Sequence, residues 1–404
     1  MDDRTFVIVG AGLAGAKAAE TLRDEGFDGR VVLIGAETER PYERPPLSKG
    51  LLLGTAERDS PYVHDAVWYA EHDVELRTGT AATDIDRSAH TVTVSRGEAI
   101  RYDRLLLATG ASPRTLPGAD DLLTLRTLAD SDRIGAILRP DARLVIVGAG
   151  WIGLEVAAAA RERGASVTVV ETATLPLQRV LGDRLAAAFA DLHREHGVDF
   201  RFGAKVQDLT AHRVGLADGT TVDADAVLVA VGVRPNTELA ERAGLDVDNG
   251  VLVDSRLRTS DPDIFAVGDV ANIDHPLLRA RIRVEHWANA LDGGPVAARA
   301  MLGLDVRWDR LPYFFTDQYD LGMEYAGWVP PGAGADLVLR GDLAAREFVA
   351  FWMVDGRVAA GMNVNVWDVT DDIQALIHAG LRGATIDPAA LADPDTALGD
   401  LARV

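Results

Sequence analysis

Two glycine turns, a lysine and a glutamate are the residues of this chain whose types and spacing promise chemistry. Gly10-Ala11-Gly12-Leu13-Ala14-Gly15 follows the apolar run Thr5–Val9, and Gly148-Ala149-Gly150-Trp151-Ile152-Gly153 follows Arg143–Val147. In each turn the first glycine permits a tight bend and the second lets backbone approach a pyrophosphate. The third lets a helix close on the strand, with the phosphates at the helix N-terminus. About 20 residues further on, Glu37 and Glu171 end the next apolar runs, where a carboxylate can accept both hydroxyls of a ribose. A carboxylate repels a 2′-phosphate, so the second site is expected to prefer NAD to NADP. Arg179 is expected to contact the nucleotide there, although a solvated arginine would look the same in sequence.

Only three lysines occur, Lys17, Lys49 and Lys205, so a lysine inside a suspected site stands out from the arginine-dominated positive charge. Lys49 closes the proline-ordered segment Arg40-Pro41-Tyr42-Glu43-Arg44-Pro45-Pro46-Leu47-Ser48-Lys49. After a flavin-type first unit, that segment would bring Lys49 beside the isoalloxazine ring and Arg44 near a phosphate or the ring edge. A buried lysine needs a partner, and Glu155, just past the second glycine turn, is the candidate. A loop lysine and a helix N-terminal glutamate favoured by the helix dipole are the plainer alternative. Gly268-Asp269 ends an apolar run and would set a carboxylate on a ribityl chain, or else cap a helix. His193 and His196 lie three apart on a helix expected to be exposed, and read as surface histidines. His286 is a weak candidate acid, because hydride transfer to a flavin requires none.

The elements that must position these residues repeat. Strand 5–9, a helix over 13–25 and strand 30–35 form one βαβ unit, with short strands at 74–77 and 91–95 and a buried strand at 105–110. Strand 143–147, helix 152–163 and strand 166–170 form the second unit, and Asp218-Gly219 reads as a hairpin turn before the buried strand 226–232. The repeat thus includes the glycine turn, the strand-end acid and the closing glycine strand. A buried strand at 264–269 and a helix over 284–302 follow. From Leu311 onward, alternating runs at 337–340, 348–354 and 358–362 and a helix near 371–379 predict a third, largely antiparallel domain. The fold class is α/β with two Rossmann-like domains, plus a C-terminal α+β domain.

The chain has 404 residues, enough for two or three domains. It carries a formal net charge of −21, which argues against nucleic-acid binding. Arg279, Arg281 and Arg283 are spaced by two and would share one face of a strand. They are a candidate docking patch, with an edge strand balanced by nearby carboxylates as the equal alternative. No apolar run reaches the length of a membrane span, and the chain enters a strand by Thr5 without a basic leader, so a signal peptide is not expected and the cytoplasm is. Cysteine is absent, which removes disulfides, cysteine-bound metal and redox thiols. The histidines show no metal pattern.

With those residues in view, the chain resembles the FAD-dependent, NADH-oxidising ferredoxin reductases of bacterial oxygenase systems, the putidaredoxin, rhodocoxin and biphenyl-dioxygenase type. The resemblance rests on Arg44-Pro45-Pro46-Leu47-Ser48-Lys49, Leu107-Ala108-Thr109-Gly110, Gly148 to Glu155, Val231-Gly232-Val233-Arg234-Pro235-Asn236, Phe265-Ala266-Val267-Gly268-Asp269, Glu285-His286-Trp287 and Phe315-Thr316-Asp317-Gln318-Tyr319-Asp320. It implies a glutathione-reductase-like flavoprotein with an FAD domain over 1–113 and 239–318, an NAD domain over 114–238 and a C-terminal domain over 319–404. It implies FAD contacts at Gly10, Gly12, Ala14, Gly15, Glu37, Arg44, Lys49, Ala82, Arg126, Asp269 and Trp287. NAD contacts fall at Gly148, Gly150, Ile152, Gly153, Glu155, Glu171, Arg179 and Gly232. The implied reaction passes hydride from NADH to FAD, with Lys49 stabilising the reduced ring and Glu155 holding Lys49. Single electrons then go to a [2Fe–2S] ferredoxin serving a P450 or Rieske-type oxygenase. A rubredoxin reductase, or an NADH-binding signalling flavoprotein like apoptosis-inducing factor, is the alternative. One departure is visible: the family's Pro-Trp-Phe-Trp-Ser-Asp-Gln is here Pro312-Tyr313-Phe314-Phe315-Thr316-Asp317-Gln318, and Phe315 lacks the indole N–H and the larger face.

Overall fold

The computed structural model describes residues 2–119 and 122–403. It forms two compact units, one of Met1–Glu43, Pro61–Ser112 and Arg234–Phe314, the other of Arg44–Ser60, Pro113–Val233 and Phe315–Val404.

The first unit is built on a parallel sheet of five strands in the order Ile264–Ala266, Arg104–Leu107, Thr5–Val9, Arg30–Ile34, Val74–Arg77. The inner strands are apolar along their length because both faces are covered: Phe6, Val7, Ile8, Val31, Val32 and Leu33 have no exposure at all. Each such side chain contributes about 1.5–3 kcal/mol. Helix Leu13–Asp24 returns over the sheet, and its buried residues include Ala14, Ala16, Ala18 and Ala19. Small residues there let helix Trp287–Met301 come to backbone contact. A Cβ on Gly294 would lie 2.5 Å from the carbonyl oxygen of Ala14. Two three-stranded sheets flank this core, Ala82–Asp86 with Thr91–Val94 and Ala99–Arg101, and Val251–Val253 with Ala271–His275 and Ala280–Ile282.

Asn236 ties the returning chain to this unit. Its side-chain amide donates to the Thr109 carbonyl at 2.8 Å and its Oδ1 accepts from Ser112 Oγ at 2.7 Å, while the Thr109 hydroxyl donates to the Asn236 carbonyl at 2.8 Å. The Val231 to Asn236 motif therefore has a structural duty in its last residue.

The second unit repeats the pattern with four parallel strands in the order Asp199–Arg201, Ser166–Val170, Arg143–Val147, Ala226–Val229. Helix Trp151–Glu162 follows the glycine turn, and the expected turn at Asp218-Gly219 joins strands Arg213–Leu216 and Thr221–Asp223. The C-terminal part is an antiparallel sheet in the order Tyr313–Gln318, Leu321–Gly327, Arg357–Val364, Glu347–Val354, Asp336–Asp342. Helix Thr370–Leu381 covers it, burying Ile373, Leu376 and Ile377. The α/β class with a C-terminal α+β domain agrees with the sequence reading. Among the described residues no helix is long and apolar enough to cross a membrane.

Two expectations fail. His193 is fully buried rather than on the surface. Helix Gln178–Glu195 turns its Leu185, Phe189, Leu192 and His193 face inward, a stripe that a mixed run of leucines, alanines and charges obscures. Nor do the three arginines share a strand face. Only Arg281 lies in a strand, Arg279 precedes it with φ 50°, and Arg283 follows it, turned onto Glu285 and the Asp269 carbonyl.

Candidate functional site

In the first unit, strand Thr5–Val9 runs into Gly10 at φ +119°, where a Cβ would lie 2.0 Å from the carbonyl oxygen of Ala108. A Cβ on Gly15 would sit 2.0 Å from the Gly10 carbonyl oxygen, so the first and third glycines are demanded by packing. The second is different: nothing lies within 4 Å of a Cβ on Gly12, and Gly12 heads helix Leu13–Asp24 without any side-chain cap. The first N–H groups of that helix are thus left for a ligand.

Other sequence-predicted residues also belong to the first unit. A Cβ on Gly268 would meet the Ala14 methyl at 3.5 Å, and half-buried Asp269 occupies the short turn Gly268–Val270. Glu37 accepts the phenol of Tyr42. Ala82 begins a strand, and the Trp287 indole donates to Glu43 Oε2 at 3.2 Å. Burial pushes the Glu43 carboxyl up, and that indole bond opposes the shift. His286 precedes helix Trp287–Met301 with its ring 4.6 Å from Phe314. Its buried Nδ1 has no hydrogen-bond partner among the described residues. Burial lowers its imidazole to about 4, so at neutral pH it is an uncharged base and a poor proton donor.

The second unit holds the matching cradle. A Cβ on Gly148, at φ +107°, would lie 2.4 Å from the Ala230 carbonyl oxygen, and one on Gly153 2.2 Å from that of Gly148, while Gly150 again faces open space. Ile152, on the first turn of the helix, is 44% exposed. Glu171 ends strand Ser166–Val170 and is fixed by backbone: Oε2 accepts the Ala149 N–H at 2.8 Å and Oε1 the Ala173 N–H at 2.9 Å, with the Thr172 hydroxyl at 3.0 Å. Burial alone would raise its carboxyl, but these donors outweigh it and hold the group below its ordinary value. Gly232, at φ +94°, accepts the Arg114 N–H at 2.9 Å, and Arg179 is exposed at the start of helix Gln178–Glu195.

The same unit contains a buried ion pair. Pro45–Leu47 forms one 3₁₀ turn whose end is tied down by Ser131, its hydroxyl donating to the Leu47 carbonyl at 2.8 Å. The Arg44 guanidinium donates to the Arg126 carbonyl, and the Arg126 N–H donates to Asp130 Oδ2 at 3.1 Å. This geometry delivers Lys49, whose Nζ lies 2.6 Å from Glu155 Oε1, with side-chain exposures of 18% and 5%. Ser48 donates to the other carboxylate oxygen and Thr316 donates to Oε1 at 2.5 Å. The Lys49 ammonium also lies 5.5 Å from the centre of the Phe315 ring, so the residue that departs from the family's tryptophan still supplies an aromatic face to a cation. Sequence reasoning quoted Ser48 and Thr316 inside motifs without giving them a role. The signal was period-2 alternation at Thr316, Asp317 and Gln318, which run buried, exposed, buried.

Each cradle has the room and the uncapped helix N-terminus that a dinucleotide requires, so the residues present fit two such cofactors. Residues 4–294 match the pyridine nucleotide-disulphide oxidoreductase family, and residues 313–402 match the reductase C-terminal domain. The chain belongs to the pyridine nucleotide-disulphide oxidoreductase family, and is an FAD-containing, NAD-dependent oxidoreductase.

Within it the relatives are ferredoxin–NAD(+) reductases. The chain is 42% identical over 402 residues to the ferredoxin–NAD(+) reductase component of the anthranilate 1,2-dioxygenase system of Burkholderia cepacia, covering 97% of this chain and 98% of the relative. It is 41% identical to putidaredoxin reductase of Pseudomonas putida, over 89% of this chain and 88% of the relative. Among solved structures, the reductase in the covalent putidaredoxin reductase–putidaredoxin complex superposes with a TM-score of 0.93 at 37% identity, covering 99% of this chain and 98% of that one.

Proposed function

We propose that this protein takes hydride from NADH and delivers single electrons to a [2Fe–2S] ferredoxin that serves a P450 or Rieske-type oxygenase. The observation that carries this reading is the ion pair of Lys49 with Glu155 in a chain without cysteine: a fixed cation stands ready for gained electrons, and no thiol can take them. The reductase relatives from dioxygenase systems, and the solved complex of a reductase with putidaredoxin, support the ferredoxin over a rubredoxin or a signalling role.

On this reading the first cradle would hold FAD, with Gly10, Gly12, Ala14 and Gly15 serving its pyrophosphate, Glu37 a ribose, and Ala82, Asp269 and Trp287 the rest of it. Arg44, Lys49 and Arg126 complete the set. Gly148, Gly150, Ile152 and Gly153 would hold NADH, with Glu171 for the ribose and Arg179 and Gly232 as further contacts. The domain division is 1–113 with 239–318 for FAD, 114–238 for NAD, and 319–404 C-terminal. Bound flavin supplies the exchange of a two-electron donor for one-electron acceptors. The chain's own work is electrostatic: Lys49 would set a positive charge beside the ring, and Glu155 fixes where that charge points. Arg281 and exposed Arg279 remain the local basic residues for an acidic ferredoxin, with Arg283 behind them. The cytoplasm, where NADH is regenerated, is the place for this reaction.

The test is NADH-driven cytochrome c reduction with and without added [2Fe–2S] ferredoxins. A rate that rises with ferredoxin concentration is expected, and the absence of such dependence with every ferredoxin type tried would sink the reading.

A further inference from the structure

Glu155 is the end point of a longer buried chain. Thr316 and Gln318, two residues apart on strand Tyr313–Gln318, point the same way and are each 1% exposed. Thr316 Oγ donates to Glu155 Oε1 at 2.5 Å, and Gln318 Nε2 donates to Thr316 Oγ at 3.1 Å. The other end of the Gln318 amide, Oε1, lies 2.8 Å from His193 Nε2, on a ring with no exposure. The Tyr319 hydroxyl lies 3.4 Å from His193 Nδ1, and the Tyr319 ring stacks on His196 at 3.7 Å, closing the far end. All six groups belong to the second unit.

Donor and acceptor capacity gives this chain one direction. Gln318 must point its NH₂ at Thr316 and its oxygen at His193, because the Thr316 hydroxyl hydrogen is spent on a carboxylate that can only accept. The oxygen then requires a hydrogen on His193 Nε2, which leaves Nδ1 to accept from Tyr319. Burial lowers His193 to about 4, against the opposing Gln318 bond, so the ring stays neutral and keeps this single tautomer at pH 7. His196 is the nearby ionisable group that lowers it further.

We propose that Thr316, Gln318 and His193 are positioning residues for the Lys49–Glu155 pair: a one-way relay of hydrogen bonds that commits the Thr316 hydroxyl to Glu155 and so holds the carboxylate aimed at Lys49. Without Gln318 the Thr316 hydroxyl is free to rotate, and Glu155 Oε1 keeps the ammonium alone. Each bond in the relay polarises the next, which makes the chain act as a unit. The inference rests on the proposed role of Lys49 in flavin reduction, but its first test does not.

That first test is ¹⁵N–¹H correlation of the histidine rings in the FAD-loaded wild-type protein at pH 7. His193, assigned by its loss in His193→Gln, should show the Nε2–H tautomer, and an Nδ1–H or charged ring would overturn the relay. The second is stopped-flow reduction of the flavin by NADH in Gln318→Met, Thr316→Val and Thr316→Ser. The limiting rate should fall about tenfold in the first two, the low end of what outer partners of a fixed group cost. The NADH Kd should be unchanged, and Thr316→Ser should retain the wild-type rate. A Thr316→Val protein that loads FAD and reduces at the wild-type rate, or a change confined to NADH affinity, would overturn the proposal. If the wild-type flavin is not reduced by NADH at all, the function reading fails while the tautomer still decides the relay.

Discussion

In the first cradle Gly10 is pressed on the Ala108 carbonyl, in the second Gly148 on that of Ala230, and in both the middle glycine faces open space. The two turns part company just beyond. Of the strand-end acids, Glu37 accepts the phenol of Tyr42, and Glu171 accepts the backbone N–H groups of Ala149 and Ala173. Two residues past the third glycine the first helix carries Lys17, paired with Glu20 on its own surface, and the second carries buried Glu155, paired with Lys49. The same supersecondary unit thus serves once as a holder and once as a holder that also carries charge into the interior. Packing fixes what the copies share, and electrostatics fixes what they do not.

The largest effect expected tests the shared part. Gly10→Ala combines a left-handed backbone with a Cβ inside the van der Waals radius of a carbonyl oxygen, and should destabilise the protein by about 3–5 kcal/mol. Gly12→Ala meets nothing and should stay within about 1 kcal/mol of wild type while losing bound flavin. Urea unfolding with flavin content read on the same samples separates the two. Equal stability of Gly10→Ala and wild type would break the packing argument for both cradles, since Gly148 rests on the same geometry.

A second prediction concerns a buried polar group of the second unit. His193 is lowered from 6.5 to about 4, by burial first, with the Gln318 bond opposing and His196 adding to the shift. Between those values the unfolded chain binds the proton and the folded one does not. Stability is therefore full above about 6.5 and is lost as pH falls toward 4. The loss from this ring alone is about 3 kcal/mol. Urea midpoints at pH 7 and pH 4.5 should differ more in wild type than in His193→Gln, and parallel losses would show that His193 is not buried neutral.

Third in size is Lys49→Met. It removes the cation from the pair and should slow flavin reduction by roughly a hundredfold. It also strands Glu155, which then keeps only the Ser48 and Thr316 hydroxyls. Adding Glu155→Gln should restore stability without restoring rate. Recovery of the rate in the double variant would mean that Lys49 acts on the fold and not on the reaction.

How much of this could be read beforehand follows the same division. The cradles were legible because a glycine needed for a close approach leaves a fixed spacing, and both strand-end acids fell where that spacing put them. Lys49 with Glu155 was legible because a scarce lysine after a proline-ordered turn needs a partner. His193 was not. Asp191, Arg194 and Glu195 around it are charged, and the partner that explains it, Gln318, is 125 residues away on a strand of the C-terminal sheet. Long-range polar pairing leaves no local period. The arginine spacing misled for a related reason: a repeat of two marks one face only while the backbone stays extended, and Arg279 at φ 50° breaks the extension before the strand begins.

The smallest expected effect asks which duty of Glu171 comes first. If its carboxylate chiefly meets the ribose, Glu171→Ala should cut the preference for NADH over NADPH about tenfold, because a 2′-phosphate no longer faces a negative charge. Its bonds to the Ala149 and Ala173 N–H groups add a cost to stability. Removing Glu171 leaves two backbone donors unpaired, one in the glycine turn and one just past Glu171, at about 1–3 kcal/mol. Glu171→Gln keeps an oxygen for one of those donors and loses the charge, so it should move selectivity as far as alanine does while moving stability less. A Gln variant with wild-type selectivity and an Ala variant that loses only stability would make Glu171 a brace of its own turn, with the choice of nucleotide lying elsewhere.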